Sequence, residues 1–318
     1  MKRALIALAL ALAGCEQGAG TSAPSESNAA AEPPSAALAP ADLPAFFDCL
    51  RERHFTAISA HRGGPAPGFA ENAIPTFEHT LSIAPAVMEI DIAATRDDVL
   101  VLMHDDTVDR TTNGTGAVDQ LTAAQFAALK LRDDDGQVLD AHPPTLREAL
   151  DWADGKTILA LDTKPGVSYE DVARAVNEAH AMAHVVFIAY SAAGAARLHH
   201  LAPGAMLFVT IKSERDLDDL VHRRVDLTHV VAWIGTDEPD RALNAALAQR
   251  GVEVEFGTLG GRSSWDARFA RDGREQYAAF ADTGLQLIST GRPREALADL
   301  DAHDNAHGYG PLQCANAR

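Results

Sequence analysis

Eight times between Thr56 and Ser289 a short apolar run rich in β-branched residues gives way to a polar or helical stretch, and few folds accept that rhythm. The runs fall at residues 56–60, 87–92, 157–161, 184–189, 206–210, 228–232, 252–256 and 285–289. Between most of them lie segments of helical period, at residues 169–182, 192–201, 215–223, 239–250 and 294–300. Strand followed by helix eight times within about 250 residues predicts an α/β fold, a (β/α)8 TIM barrel. A doubly wound open sheet shares the alternation, but no Gly-x-Gly-x-x-Gly turn follows the first run. Residues 99–146 break the rhythm and read as a small insertion after strand two.

Such barrels place their chemistry at the C-terminal ends of the strands, so the polar residues that follow each apolar run matter most. After strand one stand His61, Arg62 and Gly63; strand two carries Glu89 and Asp91; the next extended stretch ends in His104-Asp105; Asp162 and Lys164 follow strand three. Glu89 and Asp91 are two apart, a spacing that puts both carboxylates on one face of a strand. Converging carboxylates repel, and a divalent cation bound through oxygen relieves them, with Asp162 as a third ligand. Two histidines suit proton transfer, and Arg62 and Lys164 suit an anion. Together these residue types describe phosphoryl chemistry on an anionic diester.

His61-Arg62-Gly63, Glu71-Asn72, Glu89-Ile90-Asp91, His104-Asp105 and the run from Asp109 to Gly116 resemble the glycerophosphodiester phosphodiesterase family in motif, order and approximate spacing. The resemblance implies one bound divalent cation, with Ca2+ favoured over Mg2+, and hydrolysis of glycerophosphodiesters to glycerol 3-phosphate and an alcohol. By the same resemblance His61 and His104 are the catalytic acid/base pair, Arg62 binds phosphate, Glu89, Asp91 and Asp162 hold the metal, and Lys164 and Phe256 contact substrate. Three positions depart from the family pattern. Asp162 stands where the family usually has Glu, Phe256 where it often has Trp, and Gly291 where a Thr-Asp-x-Pro turn usually has Asp. A lysophospholipase D or a metal-independent lyase on the same barrel is the alternative; the retained carboxylates argue against the lyase. A non-catalytic binding lipoprotein ranks last, because both histidines are present.

The N-terminus suggests export. Lys2 and Arg3 precede an apolar run from Ala4 to Ala13, too short to span a bilayer, which takes about 20 residues. Leu12-Ala13-Gly14-Cys15 resembles a bacterial lipoprotein processing site, with residues 1–14 as signal peptide and Cys15 as the lipidated residue. Residues 15–42 are mostly Ala, Ser, Pro, Gly and Glu and read as a flexible tether to the barrel domain at 43–318. The expected location is membrane-anchored and facing the periplasm; Glu16 after Cys15 is compatible with the outer membrane. In that oxidising setting Cys49 and Cys314 are a candidate disulfide, with two buried thiols as the alternative.

Lys and Arg number 27 against 45 Asp and Glu, a net charge of −18, which excludes generic nucleic-acid binding. The expected partners are a small glycerophosphodiester and, through the lipid, a membrane; no protein partner is expected.

Overall fold

The computed structural model describes residues 37–304 and 309–316. The expected signal peptide, Cys15 and all of the expected tether except residues 37–42 lie outside the described residues. Nine strands form: β1 Ala57–Ala60, β2 Ala86–Ala94, β3 Leu100–Leu102, β4 Leu159–Thr163, β5 Val185–Ala189, β6 Met206–Thr210, β7 Val230–Trp233, β8 Glu253–Gly257 and β9 Leu287–Thr290. Eight of them pair in parallel, and β1 pairs with both β2 and β9, so the sheet closes into the expected barrel. β3 stands apart, lying antiparallel on the end of β2 within the insertion.

Strand residues bury both faces, which is why the runs read as continuously apolar. One face looks out to the helices: Ile58, Met88, Ile90, Leu161, Phe187 and Phe256 belong to the cluster between strands and helices. The other fills the barrel interior, where Ala57, Val87, Ala160, Val186, Phe208 and Leu287 pack together. That parity decides which side chains reach the mouth, because adjacent residues on a strand point to opposite faces.

The bottom of the barrel is plugged. Asp42 caps the helix Leu43–Arg53 by accepting from the Ala45 amide at 3.0 Å, and that helix presses Phe46, Phe47 and Leu50 into the interior cluster. Leu38 and Pro40 are buried as well, so the folded body begins inside the stretch read as tether. Leu38 is the large apolar residue near the end of that stretch, and its amide donates to the Lys156 carbonyl at 2.9 Å. A disulfide joins Cys49 to Cys314 of the helix Pro311–Ala315, with Cα atoms 5.6 Å apart. Arg51 closes the plug against the inward Glu253 at 2.7 Å.

Candidate active site

At the open end of the barrel, His61, Arg62, Glu89, Asp91, His104, Asp162 and Lys164 line one cavity of about 300 Å3. The barrel's own register brings the carboxylates together. Glu89 and Asp91 sit on the inward face of β2, and Asp91 lies directly beside Asp162 of β4. An oxygen from each of the three comes within 4.8 Å of the others, and all three residues are buried. Burial and then the neighbouring Asp91 push the Glu89 carboxyl well above the usual carboxylate range. Three hard oxygen donors crowded together at a cost in repulsion fit a divalent cation.

The strand β1 runs into a tight turn, His61–Gly63, and Arg62 takes left-handed dihedrals there (φ 53°). Gly63 also has positive φ (81°), and a Cβ there would fall 2.2 Å from the Phe77 ring, so the turn accepts only glycine. The Arg62 amide donates to Glu89 Oε2 at 2.8 Å, tying the turn to the acidic cluster. Its guanidinium meets Glu71 at 3.0 and 3.2 Å, while its buried Nε faces Asp91 Oδ2 at 3.6 Å, too far for a hydrogen bond, and has no hydrogen-bond partner among the described residues. An unsatisfied buried N–H of an arginine is a waiting donor for an anion. His61 is held neutral: burial, then the Arg62 charge, pushes it down to about 3.

β3 brings the other histidine across. The Met103 amide donates to the Asp91 carbonyl at 3.0 Å, and His104 follows at the rim. Its Nδ1 lies 2.7 Å from Asp105 Oδ1, which leaves Nε2 for the cavity. The loop after it folds back through Gly116, whose amide donates to Asp109 at 2.8 Å, and presents Arg110. Arg110 binds Asp105 at 2.7 and 2.9 Å and Glu71 twice at 2.8 Å. Burial alone would raise the Glu71 carboxyl, but Arg110 and Arg62 hold it below its ordinary value. The sequence marks Glu71 and Arg110 only as parts of motifs; their pairing across 39 residues is visible in the fold alone.

Lys164 does not point freely at the cavity. Its ammonium sits 2.6 Å from Asp91 and 2.7 Å from Asp162, and those carboxylates raise its pKa against the lowering effect of burial. The sequence marks Asn72 only as part of a motif and Tyr190 not at all. Asn72 donates to Asp91 Oδ2 at 2.6 Å and accepts from the Asp91 amide at 3.0 Å, fixing that carboxylate. Tyr190, at the end of β5, donates to Asp162 Oδ1 at 2.7 Å.

Phe256 is a correction. Strand parity turns it outward, fully buried against Phe280 with ring centroids 5.4 Å apart, and it does not line the cavity. The aromatic wall is instead Trp233, on the neighbouring β7. Its indole lies over Gly257, where a Cβ would come within 2.3 Å of the ring. Trp265 packs on Phe280 and donates to the Asp237 carbonyl at 2.7 Å. At Thr290-Gly291 a carboxylate is supplied from elsewhere. Asp266 accepts from the Gly291 amide at 2.8 Å and from the Thr290 hydroxyl at 2.8 and 2.9 Å.

A family model described as the glycerophosphoryl diester phosphodiesterase family matches residues 61–257, more than half of the chain and nearly all of the site just described. The chain belongs to this family. Among solved structures, a glycerophosphoryl diester phosphodiesterase from Parabacteroides distasonis superposes with a TM-score of 0.73 at 32% identity, covering 81% of this chain and 90% of that one. Human glycerophosphodiester phosphodiesterase 1 is 40% identical over 109 residues, 32% of this chain and 31% of the human protein. A glycerophosphodiester phosphodiesterase of Caldanaerobacter subterraneus is 33% identical over 114 residues, 35% of this chain and 46% of that protein. The matched part of the chain thus spans a third to a half of the length of these curated relatives. The described residues contain a buried acidic cluster, Glu89, Asp91 and Asp162, that could hold one divalent ion.

Proposed function

We propose that this protein hydrolyses glycerophosphodiesters to glycerol 3-phosphate and an alcohol, using one divalent cation and two histidines. The observation that carries the reading is the convergence of His61, His104, Arg62 and three buried carboxylates on one cavity at the C-terminal end of the barrel. Glu89, Asp91 and Asp162 would hold the cation, which when bound offsets charge on the phosphate oxygens. Arg62 orients the phosphate through its unsatisfied Nε, and Glu71 and Arg110 hold that guanidinium in place. His61, neutral in its buried setting, is suited to accept a proton at one side of the phosphorus. His104, backed by Asp105 on Nδ1, is suited to deliver one from Nε2 to the leaving oxygen. Attack by the neighbouring glycerol hydroxyl, giving a cyclic phosphate that water then opens, fits the same two roles in succession.

Calcium is our assignment for the ion ahead of magnesium. The donors are carboxylates on two neighbouring strands with a tyrosine and a lysine beside them, a setting better suited to the irregular coordination of calcium than to a strict octahedron. We also propose the export route set out from the sequence: lipidation at Cys15 and anchorage facing the periplasm. The Cys49–Cys314 disulfide suits an oxidising compartment. Labelling with a fatty acid, lost in Cys15→Ala, checks the anchor.

The test of the activity is release of glycerol 3-phosphate from glycerophosphocholine with and without EDTA, with calcium, magnesium or manganese restored afterwards. Release that chelation abolishes and calcium restores best is the expected result. Release unaffected by chelation would overturn the metal-dependent reading.

A further inference from the structure

Below the phosphate-binding residues the cavity changes character. Ile188, Phe208, Trp233 and Leu259 make an apolar wall, and at its floor sits Glu255, an inward residue of β8 that is 3% exposed. Nothing in the proposed hydrolysis uses this carboxyl. Among the described residues no Lys, Arg or His pairs with it, and the polar side chain that interacts with it is the Ser59 hydroxyl of β1. An unpaired carboxyl buried in an apolar interior is expensive unless a ligand completes it. β7 and β8 pair with Trp233 directly beside Glu255, so an indole and a carboxyl share one inward face. The other carboxylates of the cavity, Glu89, Asp91 and Asp162, have Lys164 and the proposed divalent cation to balance them, whereas Glu255 has no countercharge of its own among the described residues.

We propose that Glu255 and Trp233 form a cation subsite that takes the ammonium group of an amino-alcohol, making glycerophosphocholine- or glycerophosphoethanolamine-type diesters the preferred substrates. The proposal rests on the hydrolytic reading above and names the alcohol it releases. An indole face attracts an ammonium or trimethylammonium group through its quadrupole, and the carboxylate beside it supplies the countercharge. The glycine at 257 is what lets the indole lie there. Burial pushes the empty Glu255 carboxyl up to about 8, as expected for a group that lacks its partner until a cation arrives.

The test has two arms. In the first, kcat/KM is measured for glycerophosphocholine and glycerophosphoethanolamine against glycerophosphoglycerol and glycerophosphoinositol, in wild type, Glu255→Gln and Trp233→Leu. Wild type should favour the cationic diesters by about tenfold or more, and each variant should reduce that ratio by about tenfold, mainly through KM. In the second, choline alone is titrated against tryptophan fluorescence. Saturable quenching in wild type, weakened in Glu255→Gln and lost in Trp233→Leu, is expected. Equal use of neutral and cationic diesters, or an unchanged ratio in both variants, overturns the subsite. If no diester is hydrolysed, the hydrolytic reading fails, and the choline titration still decides the subsite: absence of quenching overturns it.

Discussion

Arg110 grips Glu71 with two hydrogen bonds of 2.8 Å, and with its other edge it holds Asp105. Through these contacts one side chain links the orienter of His104 to the carboxylate that fixes Arg62. The proposed acid/base group and the proposed phosphate donor are therefore set by a common brace. Lysine carries the charge but cannot form two planar pairs at once. Arg110→Lys should lower kcat by about 10-fold to 100-fold while the metal affinity is retained, as read by steady-state kinetics beside metal titration. A loss of metal binding equal to the loss of rate would mean that Arg110 merely supports the fold.

Asp105 accepts from His104 Nδ1 and thereby fixes which ring nitrogen faces the cavity. Asp105→Asn offers a donor as readily as an acceptor and lets the ring take the other tautomer. The expected loss is on the order of 10²-fold in kcat, with KM little changed. Rate–pH profiles check it, because a wrong tautomer lowers the plateau, whereas a purely structural lesion lowers the folded fraction.

His61 carries a stability signature in the metal-free protein. Burial, with Arg62 next in weight, lowers its folded pKa to about 3, whereas in the unfolded chain it titrates near 6.5. Between those values the unfolded chain binds the extra proton, so stability falls as the pH drops below about 6.5 and the loss levels off near 3. Replacing His61 with Asn should remove that dependence, worth up to about 1.4 kcal/mol per pH unit within the window. Denaturant titrations of both proteins in EDTA from pH 7 to 4 measure it, and parallel curves would show that His61 titrates alike in the folded and the unfolded chain.

The disulfide joins the two helices that plug the barrel and closes a loop of 265 residues. Reduction, or Cys49→Ser, should destabilise the protein by about 2–5 kcal/mol. Thermal unfolding with and without reductant gives the answer, and an unchanged Tm would mean that the plug holds by packing alone.

The barrel is legible in the sequence because all eight parallel strands are buried on both faces and stand out as apolar runs. Each expected strand is present, with ends within two residues. β3 is legible only as an extended stretch before His104, and its pairing is not, because its three residues, Leu100 to Leu102, pair antiparallel and lie inside a turn-rich insertion. The acidic cluster is legible for a local reason, the spacing of two between Glu89 and Asp91. What is not local is lost. Tyr190, Asn72 and the Arg110–Glu71 pair reach the site through closure of the barrel, and no spacing announces them. Phe256 shows the sharpest limit. One step along β8 separates an outward residue from an inward one, so aligning a motif by a single position exchanged the wall of the cavity for the helix interface. Gly257 and Gly291 each leave room for a side chain from another segment, Trp233 and Asp266, and such exchanges are invisible to a reading that moves along the chain.

The most direct measurement compares His61→Ala, His104→Ala and the double variant with wild type in releasing glycerol 3-phosphate at saturating calcium, each shown to be folded by circular dichroism. Each single loss should lower kcat by about 10²–10⁴-fold, and the double variant should be little worse than the slower single one, because the two histidines act on one transition state. Either variant retaining kcat within a few-fold of wild type would contradict the two-histidine account.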